Sequence, residues 1–190
     1  MQRLVRSLRR REDGAAAVEF ALVLPILVLL VFGIIEFGMT FRDTLTIAST
    51  TRSGARTASA LSRDPQFNTA TVAAVTQAVG SLPSTSIQQL WIYKADPNGS
   101  GLPVGQSGFS SGCSSCSIWN WNSTTNQFVL SGTSVWDPAT QDACAGTSDS
   151  VGIYLKVNHQ FVTQLFGATV TLTDHTVMRL EPKPAFQGCR

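Results

Sequence analysis

A chain of 190 residues with 43 % hydrophobic and only 14 % charged side chains has length for one domain and an anchor, and too much apolar content to stay disordered. Its formal net charge of +2 is too weak to hold a polyanion, which argues against nucleic acid as a partner. The charge is also unevenly placed. Five of the 14 Lys and Arg residues (Arg3, Arg6, Arg9, Arg10 and Arg11) precede Glu12, whereas residues 15–41 hold only Glu19 and Glu36.

The basic head, residues 1–14, leads into an apolar bar, residues 15–41, built from Ala, Leu, Val, Ile and Phe. A helix needs about 20 residues to cross roughly 30 Å of hydrocarbon, so the bar is long enough to span. Arginines before the bar, with no such excess just after it, predict a cytoplasmic N-terminus. The chain then reads as a single-pass protein of the cytoplasmic (inner) membrane, with residues 42–190 outside. A cleaved secretory signal fits less well. Its apolar region is about 7–15 residues long and ends at an Ala-x-Ala-like site, but this bar is longer and runs into Glu36-Phe37-Gly38-Met39-Thr40-Phe41-Arg42. Pro25, mid-bar, removes one helix hydrogen bond, which membrane helices tolerate. Gly33 and Gly38 are five apart, not the four of a close-packing motif, so no helix dimer is drawn from them. Glu19 and Glu36 are 17 residues apart, about 25 Å along a helix, so both carboxylates can reach opposite headgroup layers.

The string Gly14-Ala15-Ala16-Ala17-Val18-Glu19-Phe20 resembles a type IV prepilin processing site. The wider run 14–38, with Pro25, Gly33, Glu36 and Gly38 in place, resembles the TadE-like family of the tight-adherence (Flp) pilus system. The ending Val177-Met178-Arg179-Leu180-Glu181-Pro182 is similar to how such proteins finish. The resemblance implies a structural, non-enzymatic minor pseudopilin or assembly protein of a surface pilus, without a cofactor. It also implies that a prepilin peptidase cuts between Gly14 and Ala15. Glu19, the fifth mature residue and followed by Phe20, would then offer its carboxylate to the new amine of Ala15 in a neighbouring subunit. The implied partners are other pilin or pseudopilin subunits, the pilus secretion platform and the lipid bilayer. The competing reading is a single-pass membrane protein whose outer domain binds a ligand or a cell-wall component.

Beyond the bar the periodicity predicts an α+β body: the membrane helix continues as an outer helix packed on a small antiparallel sheet, a layout that also suits a pilin. Residues 42–61 read as that continuation, with Leu45, Ala48, Arg52, Ala55 and Ser59 on its packing face. Asp64-Pro65 ends it and starts a second helix striped by Phe67, Val72, Val75 and Val79 and closed by Gly80. Strands follow at 87–94, 118–121, 127–130, 151–157 (central in the sheet) and 168–180, with a short helix at 161–166. Residues 98–117 are Gly- and Ser-rich and read as a long loop, not a core.

Cys113, Cys116, Cys144 and Cys189 make an even number outside the membrane, where the compartment is oxidising, and read as disulfides. The expected pattern has Cys144 tying the strand-rich middle to the Cys113/Cys116 loop and Cys189 tying down the tail. One CxxC pair with no histidine at ligand spacing gives no metal site. Gly108-Phe109-Ser110-Ser111-Gly112 is a literal G-x-S-x-G, which with Asp149 or Asp174 and His159 or His175 has the chain order of a serine hydrolase. The motif needs a strand before it and a helix after it, and a Gly/Ser loop supplies neither. The two histidines read as ordinary surface or hydrogen-bonding residues. Trp91, Trp119, Trp121 and Trp136 read as core and packing residues rather than a sugar platform.

Overall fold

In a computed structural model that describes residues 2–110, 113–132, 135–164 and 167–184, with side chains from Gly14 onward, the chain divides into two units, Met1–Phe41 and Arg42–Arg190. Helix α1 (Gln2–Ala60) supplies all of the helical residues of the first unit and, through residues 42–60, the long helix of the second. Beyond its last turn Arg63 has φ 61°, and Asp64-Pro65 redirects the chain. Helix α2 (Phe67–Ala78) starts where the Asp64 carboxylate accepts the Gln66 backbone N–H at 2.7 Å. Phe67, Val72, Val75 and Val79 are all buried, as their spacing requires, and the helix tightens into a 3₁₀ turn at Val79–Ser81 through Gly80.

Five strands, β1 (Ile87–Lys94), β2 (Cys116–Asn122), β3 (Gln127–Leu130), β4 (Ser150–Gln160) and β5 (Thr169–Arg179), form one sheet in the order β3-β2-β1-β4-β5. Every neighbouring pair is antiparallel. The middle strand is therefore β1, with β4 beside it. The β4–β5 hairpin is regular over its whole length, from Ser150↔Arg179 to Gln160↔Thr169.

The sheet has two differently covered faces. Leu90 and Ile92 of β1 and Val151, Ile153, Leu155 and Val157 of β4 pack with Ile47, Ala55 and Ala58 of α1 and Phe67, Val72 and Val75 of α2. Phe67 meets Trp136 edge-on, with ring centroids 5.6 Å apart. On the other face Trp91, Tyr93, Ala95, Cys113 and Cys116 form a smaller cluster with Phe109 and Tyr154. Phe109 stacks on Tyr154 at 3.9 Å. The alternation of side chains along a strand makes two such cores from one sheet. The 98–117 loop, expected to stay out of any core, supplies Phe109 and Cys113 to this second one. Its apolar residues are sparse, so composition alone did not reveal that a sheet face lay beneath them.

Three other expectations are corrected. The buried face of α1 runs through Asp43, Ile47, Thr50, Thr51, Ala55, Ala58 and Ser59, while Leu45 is 55 % exposed and Arg52 is exposed. This stretch is small and polar all round, so hydrophobic spacing could not set the rotation of the face. Residues 161–164 form a turn between β4 and β5 rather than a helix, with Gln164 at φ 56°; Leu165 and Phe166 lie outside the described residues. Cys113 is disulfide-bonded to Cys116, so Cys144 does not tie down that loop. Cys144 is itself in a disulfide, and Cys189 lies outside the described residues.

The second core makes a titration prediction. Burial, with the Asp174 carboxylate adding to it, pushes the Tyr93 phenol well above its ordinary value; burial also raises Tyr154. A phenol whose folded pKa exceeds its unfolded value leaves stability intact below the unfolded value, about 10, and loses it as pH climbs beyond that. These are the chain's two tyrosines. Phenolate absorbance of the folded protein should lag behind that of the urea-unfolded chain on alkaline titration. Coincident curves would show that the phenols are not held in this environment.

Candidate functional site: the apolar helix and its flanks

Gly14, Ala15, Glu19, Phe20, Pro25, Gly33, Glu36 and Gly38 all lie on α1, which runs through the Gly14-Ala15 bond without a break. Exposed apolar side chains go all round it: Val18, Phe20, Leu22, Ile26, Leu30 and Ile34 are each at least 60 % exposed. A helix apolar on every side suits a hydrocarbon environment, not water. By length and composition this helix can cross a membrane. Glu19 is exposed at its start. A Cβ placed on Gly14 would meet nothing within 4 Å, and neither would one on Gly38. Among the described side chains, none gives a packing reason for glycine at position 14. Glycine in a helix interior costs about 1 kcal/mol relative to Ala.

The other sequence motifs fall into separate places. Asp149 pairs with Lys94 at 2.7 Å and also accepts the Asp142 backbone N–H. His159 meets Asp43 at 2.7 Å between Nδ1 and Oδ2, with both side chains buried. Asp174 accepts from the Thr51 hydroxyl on the helix side of the sheet. His175, its neighbour on the strand, faces the other way and lies against Phe109. Ser110 sits in irregular chain, and Ser111 and Gly112 lie outside the described residues. Among the described residues, these partners bring no nucleophile–base–acid set together. Trp119 and Trp121 pack against the main core, Trp121 also edge-on to Phe128 at 4.8 Å. The Asp43–His159 pair is the feature that sequence reading missed. Its members are 116 residues apart, and no local pattern links them.

What these elements define is a long apolar helix, able to span a bilayer, at the head of an α+β body. The sequence model of the TadE-like protein family matches residues 14–56, so the apolar bar and most of the body's part of α1 are similar to that family, in agreement with the resemblance read from residues 14–38. No curated protein and no solved structure matches the chain.

Proposed function

We propose that this protein is a membrane-anchored minor pseudopilin or assembly protein of a tight-adherence pilus, made as a precursor and cut between Gly14 and Ala15. The observation that carries the reading is the TadE-like match over 14–56. It begins at Gly14, where an added Cβ would meet none of the described side chains. The scissile bond lies within a helix, so a peptidase must first unwind it. Glycine lowers that cost, because it loses more freedom than any other residue when held in a helix. After the cut, the new Ala15 amine and the Glu19 carboxylate of a neighbouring copy would offset each other's charge in hydrocarbon. A charge left alone at mid-membrane costs about 2.5–3.5 kcal/mol on insertion scales. The body would then project from the membrane, with other pilins and the secretion platform as its partners and with no chemistry of its own.

Intact mass and N-terminal sequencing of protein purified from its native membrane test this. The expected start is Ala15. Gly14→Val should leave the full precursor, while Glu19→Ala should be inserted and yet fail to support pilus assembly. A chain that begins at Met1 beside an active prepilin peptidase would sink the processing step and leave an anchored outer domain with some other ligand.

A further inference from the structure

Asp96-Pro97-Asn98-Gly99 turns the chain just beyond β1. The Asp96 carboxylate accepts the Asn98 backbone N–H at 2.8 Å, and the Asp96 N–H donates to the Leu102 carbonyl at 2.8 Å. The base of the turn is therefore fixed, but its tip is open. Asn98 and Gly99 are both exposed, and a Cβ placed on Gly99, which sits at φ 77°, would meet nothing within 4 Å. The Gly99 N–H reaches the Asp96 carbonyl at 3.4 Å, longer than an ordinary N–H···O bond. The chain has six asparagines, and five are held through their side chains. Asn68 donates to the Trp136 carbonyl, Asn120 accepts from Gln89, and Asn122 accepts the backbone N–H groups of Thr124 and Thr125. Asn126 accepts from the Ser84 hydroxyl and Asn158 from the Thr171 hydroxyl. Among the described residues, Asn98 alone has a side-chain amide with no hydrogen bond, and it alone precedes a glycine.

We infer that Asn98 is a modification site, converted in the folded protein to aspartate and isoaspartate through a cyclic imide with Gly99. The Gly99 nitrogen gives up its proton to water and adds to the Asn98 Cγ. The new Cγ–N bond forms, the Cγ–Nδ2 bond breaks, and ammonia leaves. Water then opens the ring at either carbonyl, so that the main chain continues through the α-carboxyl (aspartate) or through the side-chain carboxyl (isoaspartate). The net reaction consumes water and releases ammonia, with no oxidant or reductant. Ring closure needs the two groups to swing together, which an unbonded amide and a residue without a Cβ both allow. At each other asparagine a held amide and a following residue with a Cβ oppose it. The site borders the second core. Gly101, two residues on, accepts the Tyr93 hydroxyl at 2.6 Å. Isoaspartate adds a carbon to the main chain inside the loop that the Asp96–Leu102 bond closes, and either product sets a new carboxylate close in sequence to Asp96. Conversion therefore changes both the charge and the length of the turn that positions Gly101.

Full-length protein in detergent, aged in warm, mildly alkaline buffer, tests it by peptide mass mapping and by labelling with isoaspartyl methyltransferase. Asn98 should exchange its amide NH2 for OH many-fold faster than Asn122 or Asn126, which are also exposed, and the methyl label should fall on the peptide that holds it. Gly99→Ala should slow the conversion at least several-fold. Asn98→Gln, whose larger ring closes far more slowly, should remove the label and leave the fold unchanged. An Asn98 still intact after ageing, or one converted no faster than Asn122, would overturn the inference. Conversion undiminished in Gly99→Ala would mean direct hydrolysis by water, which overturns it as well. The result is independent of whether residues 15–41 span a membrane.

Discussion

His159→Ala should destabilise the body by about 3 kcal/mol, the upper end of the cost of leaving a buried hydrogen-bonding group without its partner. The Asp43 side chain is only 10 % exposed and its Oδ2 lies 2.7 Å from the imidazole, so truncation leaves a carboxylate in a poorly hydrated place with its partner gone. It also opens space beneath Phe161, whose ring rests on the imidazole. Asp43→Asn should cost less, about 1 kcal/mol, because an amide can still hydrogen-bond the imidazole. The double variant His159→Ala/Asp43→Ala should then cost less than the sum of the single truncations, since no orphaned charge remains. Urea unfolding of the detergent-solubilised full chain, followed by tryptophan fluorescence, reads all of these. A His159→Ala midpoint equal to that of the parent would show that the pair is not formed.

Gly152→Val should be the other large loss, about 3 kcal/mol. Gly152 stands directly across from Tyr93 in the β1–β4 ladder. The Tyr93 ring lies flat over it, so that a Cβ would fall on the Cζ, Cε2 and Oη atoms. The ring cannot swing away cheaply. Its hydroxyl donates to the Gly101 carbonyl at 2.6 Å, and Phe109 packs on its edge at 5.5 Å. Gly101 is itself held at φ 74° under His175. The steric origin can be isolated: in a Tyr93→Leu background, Gly152→Ala should cost far less than it does alone. Equal costs in the two backgrounds would point to strand propensity rather than to the ring.

The long-range patterns were readable where they were strong. Uniform apolar content and an uneven charge marked the α1 bar, and the stripe Phe67, Val72, Val75, Val79 marked α2 with its buried side. β1 and β3 were delimited by turn residues on both sides, so their bounds agree with 87–94 and 127–130. Other features depended on contacts between distant residues. The rotation of α1 is set by Asp43 finding His159 and by Ser59 bonding the backbone of Arg179, and just past the helix Ser62 bonds the backbone of Glu181. None of those side chains is apolar enough to register in a periodicity. The disulfide went unread for a related reason. Cys113 and Cys116 are the nearest pair in sequence, yet it is the irregular chain between them that brings their Cα atoms to 5.6 Å. Of the candidate site, the bar and its glycine could be read directly, while the Asp43–His159 tie could not.

The lashing of α1 to the last strand also governs the order of events during synthesis. Ser59 waits for Arg179, 120 residues later. At about 5–20 residues per second that interval is on the order of ten seconds. Until then the Ile47, Ala55 and Ala58 seam lacks the complete sheet that covers it in the finished core. The long apolar helix is thus complete well before the body can close. The chain is therefore made with the face of its main core open until the last strands arrive.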